Sequence, residues 1–363
     1  MRGPATGLLT LGRLDELSKG RDNNFNLLRM LAATGVLVSH AYPLTRGPGA
    51  EQPLERLLGG ITLGTVCVYV FFAISGFFIA QSFERSATIG TFLRARALRL
   101  FPALAVVLCV TVLVAGVSLT AAPPAVYWAA VPEYLVRNVT LFFLRYDLPG
   151  VFEDNPYGPA INGSLWTLNY EVLCYVGVFL AGVAGLLRRP GTMAVLLLLF
   201  AAAYAVAMEV RVPIRVRLLL DLGLPFAVGT AFYLWRDRIV LSLPAAAGFF
   251  AAAAAVGAVP ALEPAFRPVF VLALSYAVFV AGHLPGKLRG YNRLGDYSYG
   301  TYIYAFPVQQ LVAFWGVTMP LVNIAAALPL TLLCAVLSWH LVERPALRLK
   351  ARPTPPAVAD LRP

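Results

Sequence analysis

The chain has 363 residues, of which 59% are hydrophobic and only 13% are charged, and its formal net charge is +11. A soluble domain carries about a quarter charged residues, so this composition excludes an ordinary soluble protein and indicates a polytopic membrane protein. The positive charge alone would suit a nucleic-acid partner, but no basic stripe interleaved with aromatic residues accompanies it. The cysteines and histidines show no spacing typical of a metal site, so we expect no metal.

The apolar pattern predicts an all-α fold with about ten transmembrane helices. These stretches lie at residues 25–44, 60–82, 101–120, 165–187, 192–209, 218–235, 239–258, 267–283, 297–318 and 320–341. A further surface-lying or re-entrant helix is expected around 126–146. We expect residues 1–24 to form a cytoplasmic segment, 25–350 the transmembrane domain, and the Pro-rich 351–363 a disordered cytoplasmic tail.

The distribution of Lys and Arg predicts the orientation in the membrane. Positive residues concentrate on the side that holds the N-terminus, which indicates that this side is cytoplasmic, and an even number of spans then places both termini there. Arg211, Arg215 and Arg217 fall on the outer side instead. A solvated loop partly neutralised by Glu209 and Asp221 is the favoured explanation, and an anion-binding patch for an acidic glycan is the alternative.

Arg29 and His40 interrupt the first apolar stretch. Ionisable side chains within a membrane span are costly and therefore indicate a functional site. Their spacing of eleven residues is about three helical turns, so both should lie on one helix face, roughly 16 Å apart along the axis. An imidazole is the usual general base at neutral pH, and a buried histidine bonded to backbone carbonyls is the structural alternative.

Glu171 lies in the fourth stretch, in the segment GSLWTLNYEVLCY. We expect it at a depth comparable to that of His40, where a carboxylate could orient the imidazole as in a catalytic triad. An ion pair with an arginine is the alternative. Trp166, which begins the same stretch, could equally be an interfacial anchor.

Two further segments carry candidate polar contacts. Arg96 and Arg99 are three residues apart and should share a helix face at the cytoplasmic side, where guanidinium groups could bind phosphates; positive-inside anchoring is the alternative. The second stretch contains VYVFFAISGFFIA, whose Ser75-Gly76 pair favours close helix packing or, as a lesser alternative, a polar contact from Ser75.

Taken in order, these segments resemble the acyltransferase-3 family of integral membrane enzymes that acylate cell-surface glycans and other acceptors. The resemblance covers about residues 22–350. It is carried by the opening Arg-x10-His, FFAISGF, the Arg-x-x-Arg, SLWTLNYE, LGDYSYGTYIYAFPV and HLVERPAL.

The resemblance implies a bacterial inner-membrane enzyme that takes an acyl group, most often acetyl, from cytoplasmic acetyl-CoA or another acyl-CoA. The acceptor is a hydroxyl of a cell-surface or lipid-linked glycan, and glycan-assembly proteins are expected partners. His40 and Glu171 match the catalytic positions, and Arg29, Arg96 and Arg99 match the donor-binding positions. The acceptor-binding candidates are Ser75, Trp166 and Tyr170.

One position departs from the family pattern, and two other functions stay open. Members commonly have His where this chain has Ala305, two residues before Pro307, so any role of that second histidine is absent or supplied elsewhere. A transporter or flippase for a lipid-linked sugar would also place charge in the membrane, although no matched pair of broken helices supports it. A structural subunit of a glycan-assembly complex is a third alternative, and it predicts that Arg29, His40 and Glu171 tolerate substitution.

Overall fold

The computed structural model describes residues 9–20 and 22–350, so the predicted disordered tail lies outside the described residues. Eleven long helices make up this part of the chain. They are α1 (Phe25–Arg46), α2 (Leu63–Arg85), α3 (Ile89–Val110), α4 (Pro124–Thr140), α5 (Trp166–Val183), α6 (Pro190–Glu209), α7 (Ile214–Leu234), α8 (Leu243–Gly257), α9 (Glu263–His283), α10 (Ser298–Phe314) and α11 (Pro320–Ser338).

Shorter elements extend or connect these helices. A π-helical segment, Thr111–Gly116, and the turn Val117–Leu119 prolong α3, and a second π-helical segment, Trp339–Glu343, and the turn Arg344–Arg348 prolong α11. The remaining short pieces are the α-helical turn Leu14–Leu17 and the 3-10 segments Gly163–Leu165, Leu186–Arg188, Pro260–Leu262 and Lys287–Arg293.

Each of the ten predicted spans coincides with one of the long helices, and the predicted surface helix is α4. Eight of the helices, counted with their short extensions, are long and apolar enough to cross a membrane among the residues that the structure describes. The other two, α8 and α10, have 15 and 17 residues. The all-α multi-pass architecture is therefore confirmed, and the number of crossings and the side of the termini stay predictions.

The helix α10 occupies the centre of the bundle. Most of its residues are buried, including Gln309 and Gln310 at 0% exposure. Gln309 donates to the carbonyl oxygen of Leu37 on α1 and to Asn323 on α11, at 2.9 and 3.0 Å. The side-chain N–H groups of Gln309 are thus bonded to two neighbouring helices, as burial of a polar group requires.

Helices α2 and α7 approach each other at two glycines. A Cβ atom on Gly76 would lie 2.0 Å from the carbonyl oxygen of Phe226, and one on Gly229 would lie 2.0 Å from that of Ala73. Only hydrogen fits at either position. This contact confirms that the Ser-Gly pair of the second span serves close helix packing.

A small two-stranded sheet contains the only strands found in the described part of the chain. β1 (Thr10–Arg13) pairs antiparallel with β2 (Val240–Ser242), with Thr10 opposite Ser242. The seventh predicted span is therefore wrong at its start, because residues 240–242 are strand and the helix begins at Leu243. The pairing attaches the N-terminal segment to the α7–α8 connection.

The outside of the bundle is apolar. Large hydrophobic side chains stand exposed on α6 and along α11, among them Leu198 and Leu321 at 69% and 70%. A surface of this kind is what a bilayer covers. We call the end of the bundle where α1 begins the cavity face, and the opposite end, which carries the loop 141–165, the loop face.

Candidate active site

A cavity of about 1040 Å³ enters the bundle from the cavity face. The start of α1, the end of α2, the first half of α3 and the segment before α10 surround its mouth. Arg29, Arg96 and Arg99 all line it, together with Ser75 and Glu171. The structure therefore brings together the three arginines that the sequence assigned to donor binding, and it places Glu171 with them.

Arg99 is held by two carboxylates. Its guanidinium lies 2.5 Å from Asp296, in the segment before α10, and 3.6 Å from Glu343, in the π-helical end of α11. Arg29 lies 3.9 Å from the same Asp296 and rests over the ring of Phe78. Burial acts to raise the pKa of Asp296, but the charges of Arg99 and then Arg29 outweigh it, and the pKa lies below its ordinary value.

Arg96 lies one turn before Arg99 and differs from it. No ion pair joins Arg96 to any carboxylate within the described ranges, and its Nε is buried without a hydrogen-bond partner. A partly buried guanidinium with an unsatisfied nitrogen is stabilised when an anion reaches it. Arg96 therefore fits a negatively charged ligand in the cavity, whereas Arg99 is already neutralised.

Glu171 bonds to the walls of the cavity. Its Oε1 accepts hydrogen bonds from Ser75 on α2, at 2.9 Å, and from Tyr175, one turn along α5, at 2.5 Å. Ser75 thus has the polar contact that was the lesser of its two predicted roles. The expected alternative, a direct ion pair of Glu171 with an arginine, is not among the contacts that the structure shows for it.

His40 lies further along α1, on the same face as Arg29, as predicted. Its ring meets Phe306 of α10 edge to face, with centroids 5.4 Å apart. The ring is partly exposed, and its Nδ1 is buried without a hydrogen-bond partner. The predicted hydrogen bond between His40 and Glu171 is therefore not formed in this structure, and the catalytic roles of both residues stay predictions.

A layer of side chains lies between the cavity and His40. Tyr302 lines the cavity, and Phe306, one turn later on α10, contacts His40. The Tyr302 hydroxyl forms a short hydrogen bond of 2.5 Å with Thr167, and its ring meets Phe71 with centroids 5.7 Å apart. We call Phe71, Thr167 and Tyr302 the central layer. His40 itself is not part of the cavity lining.

The three predicted acceptor-binding residues lie in two different parts of the structure. Ser75 lines the cavity with Glu171. Trp166 and Tyr170 lie one turn apart at the start of α5, towards the loop face, with ring centroids 5.7 Å apart. Neither Trp166 nor Tyr170 is part of the cavity lining.

Sequence reasoning missed two acidic residues of the site, Asp296 and Glu343. Both lie in segments that carried the family resemblance, LGDYSYG and HLVERP, but neither was assigned a role. The signal that singled out Arg29 applies equally to Glu343, which is 2% exposed near the end of an apolar helix.

The fold and the cavity thus define a multi-pass helical membrane protein with an arginine-lined site. The family model for the acyltransferase domain matches residues 22–340, and the chain belongs to this acyltransferase-3 family. It is an acyltransferase by that membership.

Two curated relatives cover nearly the whole chain. The chain is 29% identical over 342 residues, 89% of this chain and 96% of the relative, to a protein of Shigella phage Sf6 named O-acetyl transferase. It is 26% identical over 367 residues, 94% of this chain and 97% of the relative, to Nodulation protein 10 of Rhizobium leguminosarum bv. viciae. No solved structure matches the chain significantly.

Proposed function

We propose that this acyltransferase moves an acetyl group from cytoplasmic acetyl-CoA to a hydroxyl of a cell-surface or lipid-linked glycan, in a bacterial inner membrane. The observation that carries the proposal is the convergence of Arg29, Arg96 and Arg99 in one cavity, with no ion pair to Arg96 among the described residues. Phosphate groups of a coenzyme A thioester are suitable anions for a buried guanidinium. The O-acetyl transferase name of the phage relative supports acetyl as the group.

The orientation follows from the charge distribution. The cavity opens at the face that the positive-inside rule assigns to the cytoplasm, where acyl-CoA is available. His40 lies beyond the central layer, towards the face that would meet the cell envelope and its glycans. The donor and acceptor would thus approach the reacting atoms from opposite faces.

The imidazole of His40 offers two routes. As a general base it takes the hydroxyl proton of the acceptor while the oxygen attacks the thioester carbonyl carbon, the carbon–sulfur bond breaks, and the thiolate receives the proton. As a nucleophile its ring nitrogen attacks that carbon first, the carbon–sulfur bond breaks, and coenzyme A leaves as the thiol with the imidazole N–H proton. The acceptor oxygen then attacks the acetyl carbon, the carbon–nitrogen bond breaks, and the imidazole takes the hydroxyl proton. Both routes require the acyl group and His40 to meet across the central layer.

The decisive measurement is turnover of acetyl-CoA by the purified protein in nanodiscs, followed as free thiol and as acetylated acceptor. We expect His40→Ala to lower the rate of acetyl transfer a hundredfold or more, because that is the usual contribution of one acid–base group. His340→Ala is the matched control, because that histidine is exposed and its one side-chain contact is with Tyr297 at 3.4 Å.

A protein that consumes no acetyl-CoA but moves a lipid-linked sugar across vesicles would instead be the transporter considered from the sequence. Transfer that persists in folded His40→Ala protein would remove the histidine from the mechanism. Rapid quenching before acceptor is added separates the two routes, since only the nucleophilic route leaves labelled acetyl on the protein.

A further inference from the structure

The three arginines at the start of α7 are not neutralised in the way that the sequence suggested. Asp221 is bonded to Arg267 of α9 at 3.1 Å and to the Tyr69 hydroxyl at 2.9 Å, so its charge is already taken. Arg217 donates to the carbonyl oxygens of Ala207 and Met208, at the last turn of α6.

Arg215 is left with a different kind of contact. Its guanidinium lies over the ring of Phe143, 4.7 Å from the centroid, and it forms no ion pair with a carboxylate in the part of the chain that the structure describes. An arginine stacked on an aromatic face keeps its N–H edge free for a carboxylate or phosphate. Arg215 is thus a positioned cation without an anion.

The backbone holds Phe143 in place beneath Arg215. Leu141 and Phe143 both have positive φ, 60° and 52°, which is unusual for non-glycine residues. Leu141 is buried and accepts a hydrogen bond from the side chain of Asn169 on α5, whereas Phe143 is 63% exposed. The turn therefore fastens itself to α5 and presents an aromatic ring outward.

A row of tyrosines leads from Arg215 towards His40. Tyr146 lies within electrostatic range of Arg215, Tyr170 and Tyr157. Burial raises the pKa of Tyr146, with Tyr170 adding to the effect, so its hydroxyl stays neutral and can donate a hydrogen bond. Tyr157 in turn meets Phe306, with ring centroids 6.0 Å apart, and Phe306 contacts His40.

We infer that this strip, formed by Phe143, Tyr146, Tyr157, Trp166, Tyr170 and Arg215, binds an anionic saccharide acceptor. The inference rests on the proposed function and names the substrate class of the same enzyme. Arg215 pairs with a carboxylate or phosphate of the acceptor, aromatic faces cover the apolar sides of the sugar rings, and tyrosine hydroxyls bond to sugar hydroxyls. The sugar unit at the other end of the bound saccharide then lies at His40.

The test compares two tetrasaccharides of similar size. One alternates glucuronic acid with N-acetylglucosamine, and the other is the neutral N-acetylglucosamine tetramer. Binding to protein in phosphatidylcholine nanodiscs is measured by calorimetry, and acetyl transfer is measured in parallel. We expect the acidic probe to bind at least tenfold more tightly, because one charge-assisted bidentate contact is worth that much.

The variants isolate the arginine. Arg215→Gln should remove the preference for the acidic probe, and Arg215→Lys should restore only part of it, because lysine lacks the planar fork. Arg211→Gln is the matched control, an exposed arginine four residues away with no ring contact, and should keep the preference. Thermal unfolding confirms that each variant is folded.

The outcomes distinguish this inference from the proposed function. Equal binding of the two probes, or an unchanged preference in Arg215→Gln, would overturn the inference even if transfer proceeds. A charge preference that disappears when phosphatidylglycerol replaces half of the lipid would assign Arg215 to lipid phosphates and also overturn it. Charge-selective binding with no transfer would support the strip and count against the proposed reaction alone.

Discussion

Arg96 and Arg99 are one turn apart on α3, yet their surroundings give them different tasks. Arg99 has two carboxylates within 3.6 Å, so its charge is matched inside the protein. Arg96 has none, and its Nε is buried without a partner. We therefore expect Arg99 to stabilise the fold and Arg96 to bind the ligand.

Substituting the two arginines should separate these roles. Arg96→Gln should raise the KM for acetyl-CoA by about tenfold to a hundredfold, the value of a charged hydrogen bond, with little change in unfolding temperature. Arg99→Gln should cost about 3–5 kcal/mol of stability, because Glu343 would lose its ion pair and Asp296 would keep only the longer pair with Arg29. Thermal unfolding and initial rates measure the two effects.

Arg94→Gln serves as the control for both, since Arg94 is exposed on the same helix and forms no ion pair within the described part of the chain. An Arg96→Gln protein that binds the donor normally, or an Arg99→Gln protein as stable as the wild type, would contradict these separate roles of Arg96 and Arg99.

Much of the cavity could be predicted from single residues. Arginines in apolar segments are noticeable because a charged side chain in a membrane span is costly. The spacing of Arg29 and His40 predicted that they share one helix face. The pairing of Glu171 with His40 could not be predicted, because the depth of a residue in a span does not determine which neighbouring helix its side chain meets. In the structure Glu171 turns towards Ser75 and Tyr175.

Among the elements, the segment before α10 links four parts of the bundle. Asp296 joins α1 through Arg29 and α3 through Arg99, and its Oδ1 accepts from Ser298 in the first turn of α10 at 2.5 Å. Arg99 continues the network to Glu343 beyond α11. The mouth of the cavity is therefore fixed by charge as well as by packing.

The network predicts loss of stability at acid pH. The pKa of Asp296 is lower in the folded protein than in the unfolded chain, where it is about 3.9, so the ion pairs contribute fully above that value. The contribution falls as the pH drops through the folded pKa, because protonation then discharges the carboxylate. Urea unfolding in detergent from pH 7 down to pH 3 measures the loss.

Asp296→Asn should be less stable than the wild type at pH 7 and should lose less of its stability as the pH falls. Asp22→Asn is the control, since Asp22 pairs with Arg289 at 2.7 Å but its side chain is 74% exposed. If the free energy of unfolding depends on pH in the same way for the wild type and Asp296→Asn, the acid sensitivity does not come from Asp296.

The contact of α2 with α7 yields a prediction about packing. A methyl group on Gly76 would meet the backbone of Phe226 at 2.0 Å, and backbone cannot yield as a side-chain end can. Gly76→Ala should therefore lower stability by at least about 1–3 kcal/mol, the usual cost of overpacking. Gly177→Ala on α5, where nothing lies within 4 Å, should not destabilise the protein. Equal unfolding temperatures of Gly76→Ala and Gly177→Ala would show that α2 and α7 separate readily.

Helix positions were predictable because each apolar stretch is long. The pairing of β1 with β2 was not, because seven residues carry too little periodic signal and the partners are more than 200 positions apart. The central place of α10 was not predicted either, because an apolar stretch does not show which helices surround it. Its burial becomes evident only when its glutamines are seen bonded to α1 and α11.

At the scale of the whole molecule, we propose two sites on either side of the central layer. The cavity holds the arginines and Glu171, and the proposed acceptor strip lies on the side of His40. We expect Phe71, Thr167 and Tyr302, whose side chains contact one another, to close the space between the two sites. An enzyme that receives its two substrates from opposite faces needs such a barrier, because an open passage would let small molecules and ions cross the membrane.

The barrier can be tested by the side from which cysteines react. In protein whose Cys67, Cys109, Cys174 and Cys334 are replaced by Ser, we introduce either Ser82→Cys, in the cavity lining, or His40→Cys. A membrane-impermeant thiol reagent should modify the first only from the cytoplasmic face and the second only from the opposite face. Oriented vesicles of both kinds give the two measurements.

Adding Tyr302→Ala should open the barrier, because it removes the ring that meets Phe71 and the hydroxyl bonded to Thr167. His40→Cys should then react from the cytoplasmic face as well, whereas Tyr297→Ala, which removes a half-buried tyrosine just before α10 that is not part of the central layer, should not open the barrier. If His40→Cys reacts from the cytoplasmic face while Tyr302 is intact, the central layer does not separate the sites. The acyl group would then reach His40 without any rearrangement of α10, and the donor and acceptor would share one continuous chamber.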